Sequence, residues 1–389
     1  MRTPRWMSAT RRWPCIDNRG TQLGPGRVET RAVPRSNPTA HRQLAGATRL
    51  AAACLSALLV AGCGDDEPVD PGPPPASALY VVNSLGETLD RIDLATGVVA
   101  HAVMPLGNGP NDIAVTTGPD RLWIVNSLDN EVWGVDPAQQ VPEPVIDVGN
   151  SQNPYTIAPM ADGRLAVTNW LGGTLALLDG TRGVVDDRRP IGRTPEAVLA
   201  HGSRLYVTAV GYDLPTGRFG PGKVYALDAA TRAGAPIDSA VVPTNPQALL
   251  FDVQGRLHVV CTGNYGGYEP ASSGAVRVLA AATLDSLGGI ELGATPGAAV
   301  LVHEQVYVSA YFGGLMRYDS RTLEIVRGTA DPILDAPGLS GLAYDAARER
   351  LYVAGFEDDL VYVVDTTADT LVTAWEVGDG PIALGLVGE

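Results

Sequence analysis

The sequence predicts an all-β chain folded as a seven-bladed β-propeller and closed by pairing its last strand with its first. Three observations predict it. An apolar, alternating strand segment recurs seven times, as LYVVN from residue 79, LWIVN from 122, LAVTN from 165, LYVTA from 205, LHVVC from 257, VYVSA from 306 and LYVAG from 351. A second signal recurs as often, a turn ending in Pro followed by small and apolar residues: PNDIAV (110), PYTIAP (154), PEAVLA (195), PQALLF (246), PGAAVL (296), PGLSGLA (337) and PIALGLV (381). The third observation is their order. The first folded segment is of the Leu79 type and the last is of the Pro381 type, so the two ends of the chain complete one unit between them.

Each element of the repeat has a physical reason. The strand segments start 43, 43, 40, 52, 49 and 45 residues apart, the length of a propeller blade. Pro suits the entry to a strand because it needs no ladder N–H there. Between the two signals lie a third strand, such as ETLDRID at 87–93, and usually a fourth, such as VVAHAVM at 98–104, which makes about four short strands per unit. Ring closure removes the open sheet edges that would otherwise template aggregation. The composition agrees: 45 Gly and 30 Pro with 6% aromatics favour many turns and short strands over a helical core.

Ahead of the repeats the chain reads as an export signal. In residues 42–62, Arg42 and Arg49 precede an apolar run from Leu50 to Ala61, too short for a membrane span, and small residues then lead to Cys63. Its end resembles the lipobox of bacterial lipoproteins, with Val60 where leucine is usual. That resemblance implies cleavage after Gly62, diacylation of Cys63 and a lipid anchor, and Gly64 points to the outer membrane, facing either the periplasm or the surface. Residues 1–41 lack periodicity and are expected to be an over-long start or a disordered extension. Residues 63–76, acidic and Pro-rich, are expected to form an extended tether, and 77–389 the propeller.

Charge narrows the partners. Ten Arg against Asp17 and Glu29 give residues 1–62 a balance of +8, which leaves −23 from Cys63 onward within the total of −15. Nucleic-acid affinity depends on Lys and Arg displacing counterions, so so acidic a surface argues against nucleic acid as a partner. With Cys54 in the leader and Cys63 lipidated, Cys261 is the one thiol expected in the mature domain, so no internal disulfide is predicted.

The units, reading like LYVVNSLGETLDRIDLATGVV followed by a G-x-x-P turn, resemble the YVTN-type β-propeller repeat proteins of bacterial and archaeal envelopes across residues 79–389. The resemblance implies the propeller fold; similar propellers serve functions from surface layers to lactonases, so it does not imply one activity.

Candidate ligand residues follow from the predicted topology. The residue after each blade's Pro begins the innermost strand and is expected to ring the channel mouth: Asn111, Tyr155, Glu196, Gln247, Gly297, Gly338 and Ile382. Asn111 and Glu196 are the weak candidates for a divalent metal. Two Gly-rich insertions, 211–223 in blade 4 and 262–274 in blade 5, bring Tyr212, Arg218, Phe219, Asn264, Tyr265, Tyr268 and Glu269 to the same face as an aromatic and polar wall. The acids that end the third strands, Asp93, Asp136, Asp179, Asp228, Asp319 and Asp365, recur too regularly for catalysis and are expected to form Asx turns. No phosphate loop, GxSxG or CxxC motif occurs, no His pair has metal-ligand spacing, and no catalytic residue or cofactor is predicted. The expectation is a monomeric binding or scaffolding module for a protein, glycan or small ligand, with a metal-dependent lactonase-like hydrolase as the alternative.

Overall fold

A segment such as Ala78–Asn83, apolar at five of six positions, is stable as a strand only where both faces are covered. In the computed structural model, which describes residues 77–264 and 272–388, all six of its residues are buried. Its alternate residues serve different neighbours: Leu79 and Val81 pack against Tyr352 and Val361 on one side, Tyr80 and Val82 against Ile113 and Leu122 on the other. The same division repeats around the molecule, so the core consists of seven apolar layers, one at each junction between adjacent sheets.

Those sheets are seven four-stranded antiparallel blades: 78–105 with 381–387 (blade 1), 110–147, 154–190, 195–242, 246–291, 296–327 and 339–376 (blade 7). Every described element is a strand. The last strand, Pro381–Val387, pairs antiparallel with Ala78–Asn83, Ala78 opposite Val387 and Asn83 opposite Pro381, which closes the ring as the sequence predicts. The leader, Cys63 and the tether lie outside the described residues.

The innermost strands place the site. Six begin with Pro, and the residue before Pro adopts a left-handed backbone in five of these, as at Gly109 (φ 58°) and Asn153 (φ 51°). Each innermost strand shifts register just inside that first residue, as between Pro110 and Asp112 or Pro246 and Ala248. A bulge re-aims the side chains beside it, and seven bulges at equal depth turn the following residues toward the axis. Blade 7 departs from the predicted register. Its innermost strand starts at Leu339, which takes the place of Pro opposite Gly355, so Ser340 stands at the mouth where Gly338 was expected.

The repeated acids are turn formers, as the sequence predicts. The Oδ1 atoms of Asp93, Asp179, Asp319 and Asp365 each accept two backbone N–H bonds from the residues just beyond, and those of Asp136 and Asp228 accept one. Donated N–H groups favour the charged form, and the turn bonds lead in holding Asp93, Asp228 and Asp319 below the ordinary carboxylate value.

Candidate functional site at the channel mouth

Around the axis the innermost strands enclose a cavity of about 380 Å³, within the size range of small-molecule sites. Its outer row contains Asn111, Tyr155, Gln247, Gly297, Ser340 and Ile382; the next contains Asp112, Thr156, Ala197, Ala248, Ala298, Gly341 and Ala383; the third is apolar, with Ile113, Val198, Leu249, Ala299, Leu342 and Leu384. The cavity is therefore polar at the lip and oily at the base.

Polar groups of the lip and of the strands behind it also staple blades together. Asn111 Nδ2 donates to the Tyr155 carbonyl at 2.9 Å, and Ser340 Oγ donates to the Pro381 carbonyl at 3.0 Å. Thr168 Oγ1 donates to the Glu196 carbonyl at 2.6 Å and accepts from the Thr156 N–H at 3.0 Å. Asp112, which the sequence reading passed over for its neighbour Asn111, accepts from its own blade at Ile113 N (2.8 Å) and from the next at Ile157 N (2.9 Å). Burial outweighs those two bonds and pushes its carboxyl up to about 7. Among the described residues lining the cavity it is the one carboxyl.

Glu196 takes a different position from the one expected. Ala197 faces the cavity in its place, while Glu196 is buried between blades, with side-chain hydrogen bonds to Trp170 and Tyr155. Desolvation exceeds those bonds and pushes its pKa up to about 8, which favours the protonated form. Asn111 and Glu196 thus do not face one another as a metal pair. Among the described residues no group of three or more His, Cys, Asp or Glu converges as a metal site.

The blade 4 insertion forms a two-stranded hairpin, Tyr212–Asp213 with Arg218–Phe219, in which Tyr212 opposes Phe219. Their ring centroids are 4.9 Å apart, and Trp170 lies 5.8 Å from Tyr212. Arg218 is exposed. Trp170 escaped the sequence reading because it stands one residue beyond the LAVTN strand, where only tertiary packing brings it beside the insertion. In blade 5, Asn264 is buried and its N–H donates to Ser272 Oγ at 2.9 Å; Tyr265, Tyr268 and Glu269 lie outside the described residues. Cys261 is buried among Val224, Val242 and Leu257, and burial pushes its thiol up to about 12. His258 is also buried, between Asp252 and Tyr318, and desolvation lowers its pKa.

No protein-family model and no curated protein matches the chain. Solved structures do. The periplasmic gluconolactonase PpgL of Pseudomonas aeruginosa is similar at 18% identity and a TM-score of 0.62, over 80% of this chain and 99% of that one. A candidate 6-phosphogluconolactonase of Bacteroides fragilis is similar at 13% identity and 0.61, over 80% and 98%. Hydrazine synthase of Kuenenia stuttgartiensis is similar at 16% identity and 0.58, over 74% and 91%. At these identities the likeness is one of fold. The chain is a seven-bladed β-propeller with a polar-lipped axial cavity.

Proposed function

We propose that this protein is an envelope-tethered binding propeller that holds a neutral, polyhydroxylated small molecule of sugar size at its channel mouth. The observation that carries the reading is the chemistry of the cavity: amides at Asn111 and Gln247 and hydroxyls at Tyr155 and Ser340 on the lip, the Thr156 hydroxyl and the Asp112 carboxyl in the row below, and no Arg, Lys or His among the described lining residues. Such a wall pairs hydroxyl groups but gives a phosphate or carboxylate no counter-charge, so an anion would be desolvated unpaired. The apolar third row suits the C–H faces of a sugar ring. The leader before Cys63 supports tethering at the cell envelope, on the outer membrane.

Asp112 favours a second reading, hydrolysis of a sugar lactone. A carboxyl titrating near 7 in a cavity is suited to proton transfer at neutral pH. Asp112 would take a proton from water as the oxygen adds to the lactone carbonyl, then return it to the departing ring oxygen, so that lactone and water give the hydroxy acid. The gluconolactonase and the candidate 6-phosphogluconolactonase of similar fold support this reading.

Calorimetric titration of the purified protein with glucose, gluconolactone, gluconate and glucose 6-phosphate tests both. Binding of the neutral compounds, lost in Asn111→Ala and Gln247→Ala, is the expected result; selective binding of the anions would refute the proposal. Acid release from gluconolactone, absent in Asp112→Asn, would favour the hydrolase.

A further inference from the structure

We propose that the gap left in the cavity lip by Gly297 is a subsite for an acetamido group, so that the ligand is a neutral N-acetylated amino sugar. The inference rests on the small-molecule reading above and deepens it.

Each innermost strand places one residue just inside its first position, at the register shift. Six blades carry a side chain there, Asn111, Tyr155, Glu196, Gln247, Ser340 and Ile382, and blade 6 has Gly297. The bulge does not demand glycine, since the other six blades form it with side chains. The backbone does not demand it either, because Gly297 lies outside the left-handed region. Nor does packing: a Cβ built on Gly297 would meet one atom within 4 Å, Gln247 Oε1 at 3.7 Å. Gly341, on the same cavity wall, shows the contrast. A Cβ there would stand 2.7 Å from the Ile382 carbonyl oxygen and 2.9 Å from Ala383 Cα, so the close approach of blades 7 and 1 requires glycine. Glycine weakens a strand. Where neither bulge, backbone nor packing calls for it, its remaining role in a strand is to let a ligand approach closely.

The groups around the gap select its occupant. Gln247 Nε2 donates to Oδ1 of the buried Asn245 at 3.4 Å, which leaves Oε1, the atom nearest the gap, to act as an acceptor. Below Gly297 the same wall continues with Ala298 and Ala299, small and apolar. An acetamido group carries both complements, an N–H for Gln247 Oε1 and a methyl for the alanines. A hydroxyl in its place would pair Oε1 and leave the apolar side unfilled. A bare alkyl group would fill the apolar side and desolvate Oε1 without a partner. The acetamido group is uncharged, as suits a cavity with no Arg, Lys or His among its described lining residues.

The test is calorimetric titration of the purified protein with glucose, galactose and mannose and with the N-acetylated 2-amino form of each, and the quantity read is the affinity ratio of each acetamido sugar to its parent hexose. One hydrogen bond and one buried methyl each tighten binding about fourfold, so at least one ratio in wild type is expected on the order of tenfold. Gly297→Val fills the gap and should bring that ratio to one or below. Gly297→Ala, which adds a single methyl at ordinary contact distance from Gln247 Oε1, should lower it in part. Thermal melting of both variants separates a filled gap from a lost fold. Hexoses that bind with no gain from the acetamido group would overturn the subsite and leave the cavity reading standing. A ratio undiminished in folded Gly297→Val would also overturn it. Failure of every sugar to bind wild type would overturn the cavity reading, and the subsite with it.

Discussion

Replacing Glu196 with Gln probes the junction between blades 3 and 4 through the pH dependence of stability. Glu196 is 4% exposed, and its carboxyl is pushed from 4.5 up to about 8 by desolvation. A raised folded-state pKa means that the folded protein keeps a proton which the unfolded chain has already released. Stability is therefore complete below 4.5, falls as pH rises through the interval to about 8, and levels off above it. At ~1.4 kcal/mol per pH unit, that interval caps the Glu196 contribution at about 5 kcal/mol. Gln keeps the shape and cannot ionise, so its stability curve should lack this component. Asp112 acts with the same sign, from 3.8 to about 7, so part of the decline should persist in the variant. Urea unfolding of both proteins at half-unit steps from pH 5 to 9 measures the difference directly. Wild type should lose stability with pH several kcal/mol faster than Glu196→Gln over the range. Parallel curves would refute the argument that Glu196 is buried and protonated.

Three further outcomes are expected. Cys63→Ala should move the protein from the membrane to the soluble fraction on carbonate extraction, and unchanged fractionation would remove the lipid anchor. Deletion of 381–389 strips the innermost strand from blade 1 and uncovers Tyr80 and Val82; it should abolish the cooperative thermal transition by calorimetry, and an unaltered melting temperature would contradict closure. Cys261, buried with its thiol pushed up to about 12, should resist Ellman's reagent in native protein and react fully in denaturant, since thiolate is the reactive form; rapid native labelling would show that the site opens.

The lip chemistry connects the proposed function to the fold. Hydroxyls and amides that would face a ligand are the same groups that join blades, as Asn111 joins blade 2 to Tyr155 of blade 3. A ligand that draws on them would be coupled to packing between blades, so binding and thermal stability should rise together.

The sequence by itself determined the number of blades, the closure and the structural role of the repeated acids. Each of these is a periodic property, because every blade meets the same neighbours and so repeats the same apolar segment, Pro turn and Asx turn. It also located Asn111, Tyr155 and Gln247 at the mouth, since one rule of position applies to every blade. Only the tertiary structure decided the direction in which side chains point at the bulges. A one-residue bulge exchanges the inward and the buried position, and it sent Asp112 and Ala197 to the cavity while Glu196 turned between the blades. The start of blade 7 was decided the same way, with Leu339 filling the place of Pro and Ser340 reaching the lip. Trp170 joined the insertion of another blade for the same reason: contacts between residues 42 positions apart, such as Trp170 with Tyr212, are made by the ring as a whole and leave no local pattern.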